Sequence, residues 1–175
     1  MQATVFPPHD HTHCVSSAIS NAQNLCVERG VRLTPVRQRV LELVWRSHQP
    51  IGAYELLAGL VKEGFNSAPP TVYRALEFLC TQGLLHKLEG INAYVGCCNP
   101  DTPHQGHFLL CKDCHQAQEL DSQYISLAIK LSADQHGFEI KRHTIEIVGI
   151  CQACLDKPKK MESKLRVRPY SRPQI

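Results

Sequence analysis

Apolar residues recur at helical spacing through four segments of the first half of the chain. The first runs from Ser20 to Glu28 and is followed by Gly30. The second begins after Thr34-Pro35, a pair typical of an N-cap followed by proline in the first helical turn. Its inward positions are Val36, Val40, Leu43 and Val44, and those of a third helix after Gly52 are Leu56, Leu57, Leu60 and Val61.

The fourth predicted helix opens at Pro69-Pro70 and ends before Gly83, with Val72, Leu76 and Leu79 on its buried side. Thr71, Tyr73 and Arg74 stand in its first turn and cannot all join that side. A hairpin follows, with strands over 84–89 and 93–95 and a turn at 90–92. Helices with a polar leading face, followed by a two-stranded wing, are typical of a winged helix-turn-helix.

The second half of the chain has a different order of elements. Residues 99–103, Asn-Pro-Asp-Thr-Pro, have the composition of a linker. Beyond them the pattern predicts a strand over 108–110, a helix over 124–135, and one or two strands over 138–150.

These patterns predict an α+β protein with an N-terminal winged helix-turn-helix domain and a small C-terminal α/β domain. The predicted organisation is a flexible segment (1–18), a winged-helix domain (19–97), a hinge (98–103), the C-terminal domain (104–157) and a basic tail (158–175).

Composition narrows the class of protein. No run of about 18 apolar residues is present, and the first twenty residues lack a cationic start followed by an apolar stretch. We therefore expect no membrane span, no secretory signal and a cytoplasmic location. The net charge of +3 is uneven, because residues 157–175 hold seven Lys or Arg and one Glu. Such a tail either attracts phosphates or is simply a solvated end.

Nine cysteines and ten histidines indicate metal binding or redox chemistry where thiols stay reduced. Four of the cysteines form two C-x-x-C pairs, separated by 36 residues: Cys111, Cys114, Cys151 and Cys154. Each pair brings two sulfurs to one ion, and two pairs complete a closed tetrahedral shell. We interpret them as a structural zinc site, with redox dithiols as the alternative.

Further metal-type side chains are less distinctive in the sequence. His86, Cys97, His104 and Glu119 each have an ordinary interpretation: a wing histidine, a small buried hydrophobe, a linker residue and a surface charge. The N-terminal run from His9 to Cys14 is either part of a flexible end or a weak metal site.

Three sequence stretches and the two cysteine pairs resemble the ferric uptake regulator (Fur) superfamily, and most of all its zinc uptake regulator branch. The stretches are Arg-Leu-Thr-Pro-Val-Arg at 32–37, Ala-Pro-Pro-Thr-Val-Tyr-Arg-Ala-Leu at 68–76, and Leu-His-Lys-Leu-Glu at 85–89. The resemblance covers residues 20–156. It implies that residues 104–157 are a dimerisation and metal-binding domain. It further implies a homodimer that binds double-stranded operator DNA when its regulatory metal is present, and that represses zinc-uptake genes.

The resemblance also implies a regulatory zinc on His86, Cys97, His104 and Glu119, in addition to the structural zinc. A thiolate ligand suits zinc better than the oxygen-rich surroundings used for iron or manganese. Cys98 is an alternative to Cys97, and His107 to His104. His143 matches a position that some members use for a third metal, although a strand histidine is the simpler interpretation. Within the family, the alternative function is a sensor of iron, manganese or peroxide.

The predicted winged helix supplies candidate DNA contacts. A guanidinium can pair with guanine through two hydrogen bonds, so Arg74 is the candidate for base recognition, with a phosphate contact as its alternative. Tyr54 and Thr71 are expected at the DNA backbone or a thymine methyl, and Lys87 at a phosphate. Tyr73 is either a contact or half-buried packing.

Two other classes of protein are less consistent with the sequence. An enzyme would need an open metal site with a general base, and neither H-E-x-x-H nor the deaminase signature occurs. We therefore predict no enzymatic activity and no organic cofactor. A zinc-ribbon adaptor without DNA binding would leave the winged helix unexplained.

Overall fold

The computed structural model describes residues 11–46, 49–101, 106–120, 123–141 and 143–157. Helices dominate the first half of this part of the chain, and short strands are more frequent in the second. The helices are α1 (His11–Glu28), α2 (Pro35–Trp45), α3 (Ala53–Lys62), α4 (Pro69–Thr81), α5 (Gln123–Gln135) and α6 (Gln152–Leu155); the strands are β1 (Ile51–Gly52), β2 (Leu85–Leu88), β3 (Ala93–Gly96), β4 (His107–Cys111), β5 (Ala117–Glu119) and β6 (Ile145–Gly149).

The N-terminal half is a winged helix-turn-helix, as the apolar pattern predicts. Helices α1 to α4 enclose one core, and an antiparallel sheet in the order β1-β3-β2 closes it. Helix α2 begins as expected, since the Thr34 side chain accepts a hydrogen bond from the Arg37 amide. Strands β2 and β3 form the wing, with Leu88 opposite Ala93 at its turn.

Three details differ from the sequence prediction. Helix α1 begins at His11 rather than Ser20, so residues 11–18 are helical and not a flexible segment. Its first turns only partly bury small residues such as Cys14 and Ala18, which give a weak apolar signal. Val61, predicted to point inward, is 55% exposed because it follows Leu60, the last buried position of α3. The short strand β1 was not predicted.

The C-terminal domain is a three-stranded sheet in the order β5-β4-β6. Strand β5 is antiparallel to β4, whereas β6 is parallel to it. Helix α5 lies between β5 and β6 in the chain, as the predicted strand-helix-strand pattern requires for a parallel pair. Among the described residues of the predicted 138–150 segment, those at 145–149 form a strand. Strand β5 was not predicted.

The wing packs directly on the C-terminal sheet. Leu88 and Val95 of the wing form one apolar cluster with Phe108 and Leu110 of β4, and Ala117 lies at its edge. Leu88 and Phe108 are at most 1% exposed. The two domains are therefore joined by a small shared core as well as by the chain between them.

Helix α5 buries none of its residues within the chain. Its apolar residues Tyr124, Leu127 and Leu131 are all more than half exposed, and so is Val148 on β6. None of the helices in the described part of the chain combines the length and the apolar character needed to cross a bilayer.

Candidate metal centres and nucleic-acid interface

Strand pairing brings the two C-x-x-C pairs together. Cys111 ends β4 and lies opposite Gly149 of the parallel strand β6, so Cys151, two residues further on, reaches the same edge. Cys114 lies in the turn after β4, and Cys154 lies in α6. The four sulfur atoms are within 4.8 Å of one another.

The ionisation of these four thiols favours a bound cation that prefers sulfur ligands. The Cys151 amide donates to the Cys111 sulfur at 3.3 Å, and such backbone hydrogen bonds lower the pKa of Cys111 to about 6. Burial raises the pKa of Cys154 to about 12, so the four thiols do not all ionise without a compensating charge. The Cys114 and Cys151 sulfurs are 3.7 Å apart. Ligands at a Zn–S distance of about 2.3 Å lie roughly 3.8 Å apart in a tetrahedron, so the donors fit zinc.

A second cluster lies where the wing meets the C-terminal domain. His86 is on β2, Cys97 directly follows β3, and Glu119 ends β5. Their ligand atoms are all within 4.8 Å of one another, and His86 Nε2 is 3.0 Å from Glu119 Oε1. Two of these residues thus come from the winged helix and one from the C-terminal domain.

The Cys97 thiol is buried, with 3% of the residue's surface exposed. Burial, together with the negative charge of Glu119, raises the pKa of Cys97 to about 12. The thiol is therefore neutral at physiological pH unless a cation replaces its proton. A thiol, an imidazole and a carboxylate form a donor set that zinc accepts.

The alternative ligands occupy different places. Cys98 is exposed, and its amide donates to Glu119 Oε2 at 3.2 Å. Its side chain also forms a hydrogen bond with Glu119. His107 is fully buried, and its Nε2 lies 3.2 Å from Nε2 of His143. His104, the remaining predicted ligand, lies outside the described residues.

Gly106 allows the backbone at the start of β4 to lie close to His86. A Cβ atom at this position would lie 2.5 Å from the Phe108 ring and 3.2 Å from His86 Nδ1. The Phe108 ring also contacts the imidazole edge-on, at 5.2 Å between centroids. A larger residue at position 106 would therefore displace the Phe108 ring and crowd His86.

Helix α1 brings the N-terminal cysteine towards the same region. His13, Cys14, Cys97 and Cys98 line a cavity of about 220 Å³ between α1 and the base of the wing. Within the described residues, the only groups of three or more potential ligands close enough to share an ion are the Cys111 cluster and the His86 cluster. The cavity therefore adjoins the second cluster without extending it.

The predicted DNA contacts differ in exposure. Tyr54, on the first turn of α3, is 73% exposed, and Tyr73, on α4, is 43% exposed. Arg74 is exposed beside Tyr73, whereas Thr71 is half-buried. Lys87 Nζ lies 2.6 Å from Glu89 Oε2, an ion pair that a phosphate would have to replace.

Comparison with known proteins decides the family. The model of the ferric uptake regulator family matches residues 28–148. The chain belongs to the ferric uptake regulator family. It is 37% identical to the zinc uptake regulation protein of Escherichia coli (strain K12) over 139 residues, which cover 79% of this chain and 81% of that protein.

Two solved structures share both fold and sequence with this member of the family. A zinc uptake regulator complexed with zinc and DNA has a TM-score of 0.77 and 37% identity, covering 81% of this chain and 95% of the other. Holo XcZur has a TM-score of 0.74 and 41% identity, covering 79% and 97%. The winged-helix architecture derived from the sequence is that of the family.

Sequence reasoning singled out His86 and Glu119 at the domain junction but missed two other residues that join the domains. Gln49 Nε2 donates to the Cys114 carbonyl at 3.1 Å, and Glu146 on β6 contacts the turn of the wing. Neither residue belongs to a short motif. Their partners are 65 and 57 residues away in the chain, so only the tertiary structure reveals these contacts.

Proposed function

We propose that this protein is a zinc-responsive transcriptional repressor that binds operator DNA as a zinc-loaded homodimer and controls zinc-uptake genes. The observation that carries this proposal is the cluster of His86, Cys97 and Glu119, because its ligands come from both sides of the domain junction. A DNA-binding role and the abundance of free thiols are consistent with the bacterial cytoplasm. The protein acts as a regulator and not as an enzyme.

We assign one structural and one regulatory zinc to each chain. The four cysteines Cys111, Cys114, Cys151 and Cys154 would hold the structural ion in a closed shell, as expected for a site without a substrate position. His86, Cys97 and Glu119 would hold the regulatory ion, with His104 as the fourth ligand. When bound, each zinc supplies a divalent charge that stabilises thiolates at neutral pH. The His107–His143 pair remains the candidate for a third site, which we do not include in this stoichiometry.

The ligand types favour zinc over the alternative metals of the family. Iron(II) and manganese(II) prefer sites rich in carboxylate oxygen and imidazole, whereas thiolates select zinc. Cys97 is buried within 4.8 Å of His86 and Glu119. A sensor of manganese, iron or peroxide does not require a buried thiol ligand at this junction.

The position of the regulatory ligands connects metal binding to DNA binding. Because His86 and Cys97 belong to the wing unit and Glu119 to the C-terminal domain, their joint ligation would hold one orientation of the two domains. In a symmetric dimer, that orientation sets the separation of the two α4 helices. Successive major grooves on one face of DNA are about 34–36 Å apart, so one separation fits both half-sites.

Helix α5 and strand β6 offer a dimer interface. Their exposed apolar residues are Tyr124, Leu127, Leu131, Ile147 and Val148. No residue of α5 is fully buried within its own chain, so packing there stabilises the helix less than it stabilises a core helix. Association of two chains through this surface would bury it, and we propose that this is the homodimer contact.

The proposed DNA surface consists of the first turns of α4 together with Tyr54 on α3 and Lys87 in the wing. We assign Arg74 to base edges, Tyr54 and Thr71 to the DNA backbone or a thymine methyl, and Lys87 to a phosphate. Tyr73 lies next to Arg74 and is exposed enough to join this surface.

A selection experiment tests the function even though the operator sequence is unknown. Purified full-length protein is loaded with zinc and used to enrich duplexes from a random DNA pool. The enriched duplex is then titrated with protein in zinc, in iron(II), in manganese(II) and in excess chelator. We expect enrichment of a two-fold symmetric sequence and loss of DNA binding in excess chelator. Of the three metals, zinc should restore DNA binding at the lowest concentration.

Other results would contradict the proposal in distinguishable ways. Recovery by iron(II) or manganese(II) at lower concentrations than by zinc would favour the alternative sensors. Failure to enrich any duplex, from protein whose Cys₄ zinc is intact, would favour an adaptor that acts through protein contacts alone.

A further inference from the structure

One row of residues crosses the C-terminal sheet beneath the wing. Phe108 on the central strand β4 is paired with Glu119 on β5 and with Glu146 on β6. Directly paired residues point to the same face of a sheet, so two carboxylates flank the Phe108 ring. That ring packs against Leu88 and Val95 of the wing.

The two carboxylates hold opposite ends of the wing. Glu119 contacts its base, at His86 and at the Cys98 amide. Glu146 contacts its tip, where Oε1 accepts a hydrogen bond from the Glu89 amide at 2.7 Å and Oε2 accepts one from the Gly90 amide at 3.2 Å. Backbone donors to a carboxylate make charge-assisted hydrogen bonds, which are stronger than those between neutral groups.

The turn of the wing is shaped for this contact. A Cβ atom at Gly90 would lie 2.8 Å from Glu146 Oε2 and 3.7 Å from its carboxyl carbon, with no other atom beyond its chain neighbours within 4 Å. Gly90 is not among the residues with positive φ, so its backbone tolerates alanine. Within the described residues, Glu146 belongs to neither of the two metal-type clusters.

We propose that Glu146 is a positioning residue, whose carboxylate holds the wing tip on the C-terminal domain and thereby lowers the zinc concentration at which the protein switches. This wing clasp (Glu146 with the amides of Glu89 and Gly90) rests on the proposed function for the regulatory zinc at the His86 cluster and for its link to DNA. Glu119 must share its oxygens with the regulatory ion, whereas Glu146 has no such task and acts before zinc binds. The clasp raises the fraction of protein in which the wing already lies on the C-terminal domain, which is the arrangement that binds zinc. Because the apparent affinity of a ligand scales with that fraction, the clasp strengthens zinc binding without contacting the ion.

The test uses four variants of the full-length chain: Glu146→Ala, Gly90→Ala, the double variant, and Glu139→Ala as the matched control. Glu139 is an exposed glutamate of the same domain, paired with Lys141. Two measurements need no DNA. Hydrogen exchange reports protection of the Glu89 and Gly90 amides, and chelator competition reports zinc affinity at the His86 cluster.

We expect either single substitution to speed exchange of both amides and to weaken zinc binding roughly three- to tenfold. The Cys₄ zinc content should stay the same. In the double variant the second substitution should add nothing, because alanine at position 90 clashes only with the carboxylate that is already gone. Operator binding should need correspondingly more zinc but reach the same affinity at saturating zinc, which a general folding defect would not allow.

Unchanged amide exchange and zinc affinity in Glu146→Ala would overturn the clasp, and so would additive effects in the double variant. Failure of the proposed function is a separate outcome: the unsubstituted protein would then show no zinc-dependent DNA binding, while hydrogen exchange would still decide whether Glu146 holds the wing tip.

Discussion

The shared core between wing and C-terminal domain predicts that an apolar substitution outside the metal ligands weakens regulatory zinc binding. Leu88 is fully buried, and of its cluster partners Val95 lies on the wing while Phe108 and Leu110 lie on β4. Truncating a buried leucine to alanine costs about 2–5 kcal/mol. If the contacts across the domain junction account for half of this, Leu88→Ala destabilises the joined arrangement by about 1–2.5 kcal/mol.

That loss corresponds to about 5- to 60-fold weaker zinc binding at the His86 cluster, since about 1.4 kcal/mol equals a factor of ten. Chelator competition measures the affinity, and denaturant unfolding measures stability. Leu60→Ala is the matched control, because Leu60 is equally buried but lies in the core of the winged helix. It should lower stability by a similar amount and leave zinc affinity unchanged. Equal zinc affinities for the two variants would refute a coupling of the domains through this core.

Three further predictions concern individual sites. Cys97→Ser should abolish zinc-dependent operator binding in a gel shift while the Cys₄ zinc stays bound. Cys98→Ser should respond normally, because Cys97 and not Cys98 belongs to the cluster with His86 and Glu119; the reverse pattern would mean that Cys98 is the ligand. Cys111→Ser should lower the zinc content by one tightly held ion per chain, measured by metal analysis. It should also reduce dimerisation, measured by sedimentation, since structural zinc contributes directly to folding. A dimer with unchanged zinc content would contradict the Cys₄ assignment. Arg74→Ala should weaken binding to the selected duplex by about 1–3 kcal/mol and leave zinc binding intact. An equal loss of affinity for all DNA sequences, with a shallower salt dependence, would indicate a phosphate contact instead.

Local sequence determined the elements and the closed metal site. The cap at Thr34, the prolines that open α4 and the apolar periodicity of α2 to α4 act over a few residues, so they can be identified without tertiary structure. The C-x-x-C pairs are equally local, and the strand-helix-strand pattern between them makes their meeting predictable. Family resemblance added the regulatory ligands, of which His104 lies outside the described residues.

Only the tertiary structure decided how the two domains meet. In the sequence, His86, Cys97 and Glu119 are ordinary residues of a wing and a short strand, and they become a potential site because strand register places Glu119 beside the wing. The preference for Cys97 over Cys98 depends on which thiol is buried towards that cluster, and adjacent identical residues give no local signal for it. Glu146 reaches the wing turn through the parallel pairing of β6 with β4, a contact across 57 residues. Register and domain packing are set by long-range burial of apolar surface, whereas periodicity and capping reflect only near neighbours in the chain.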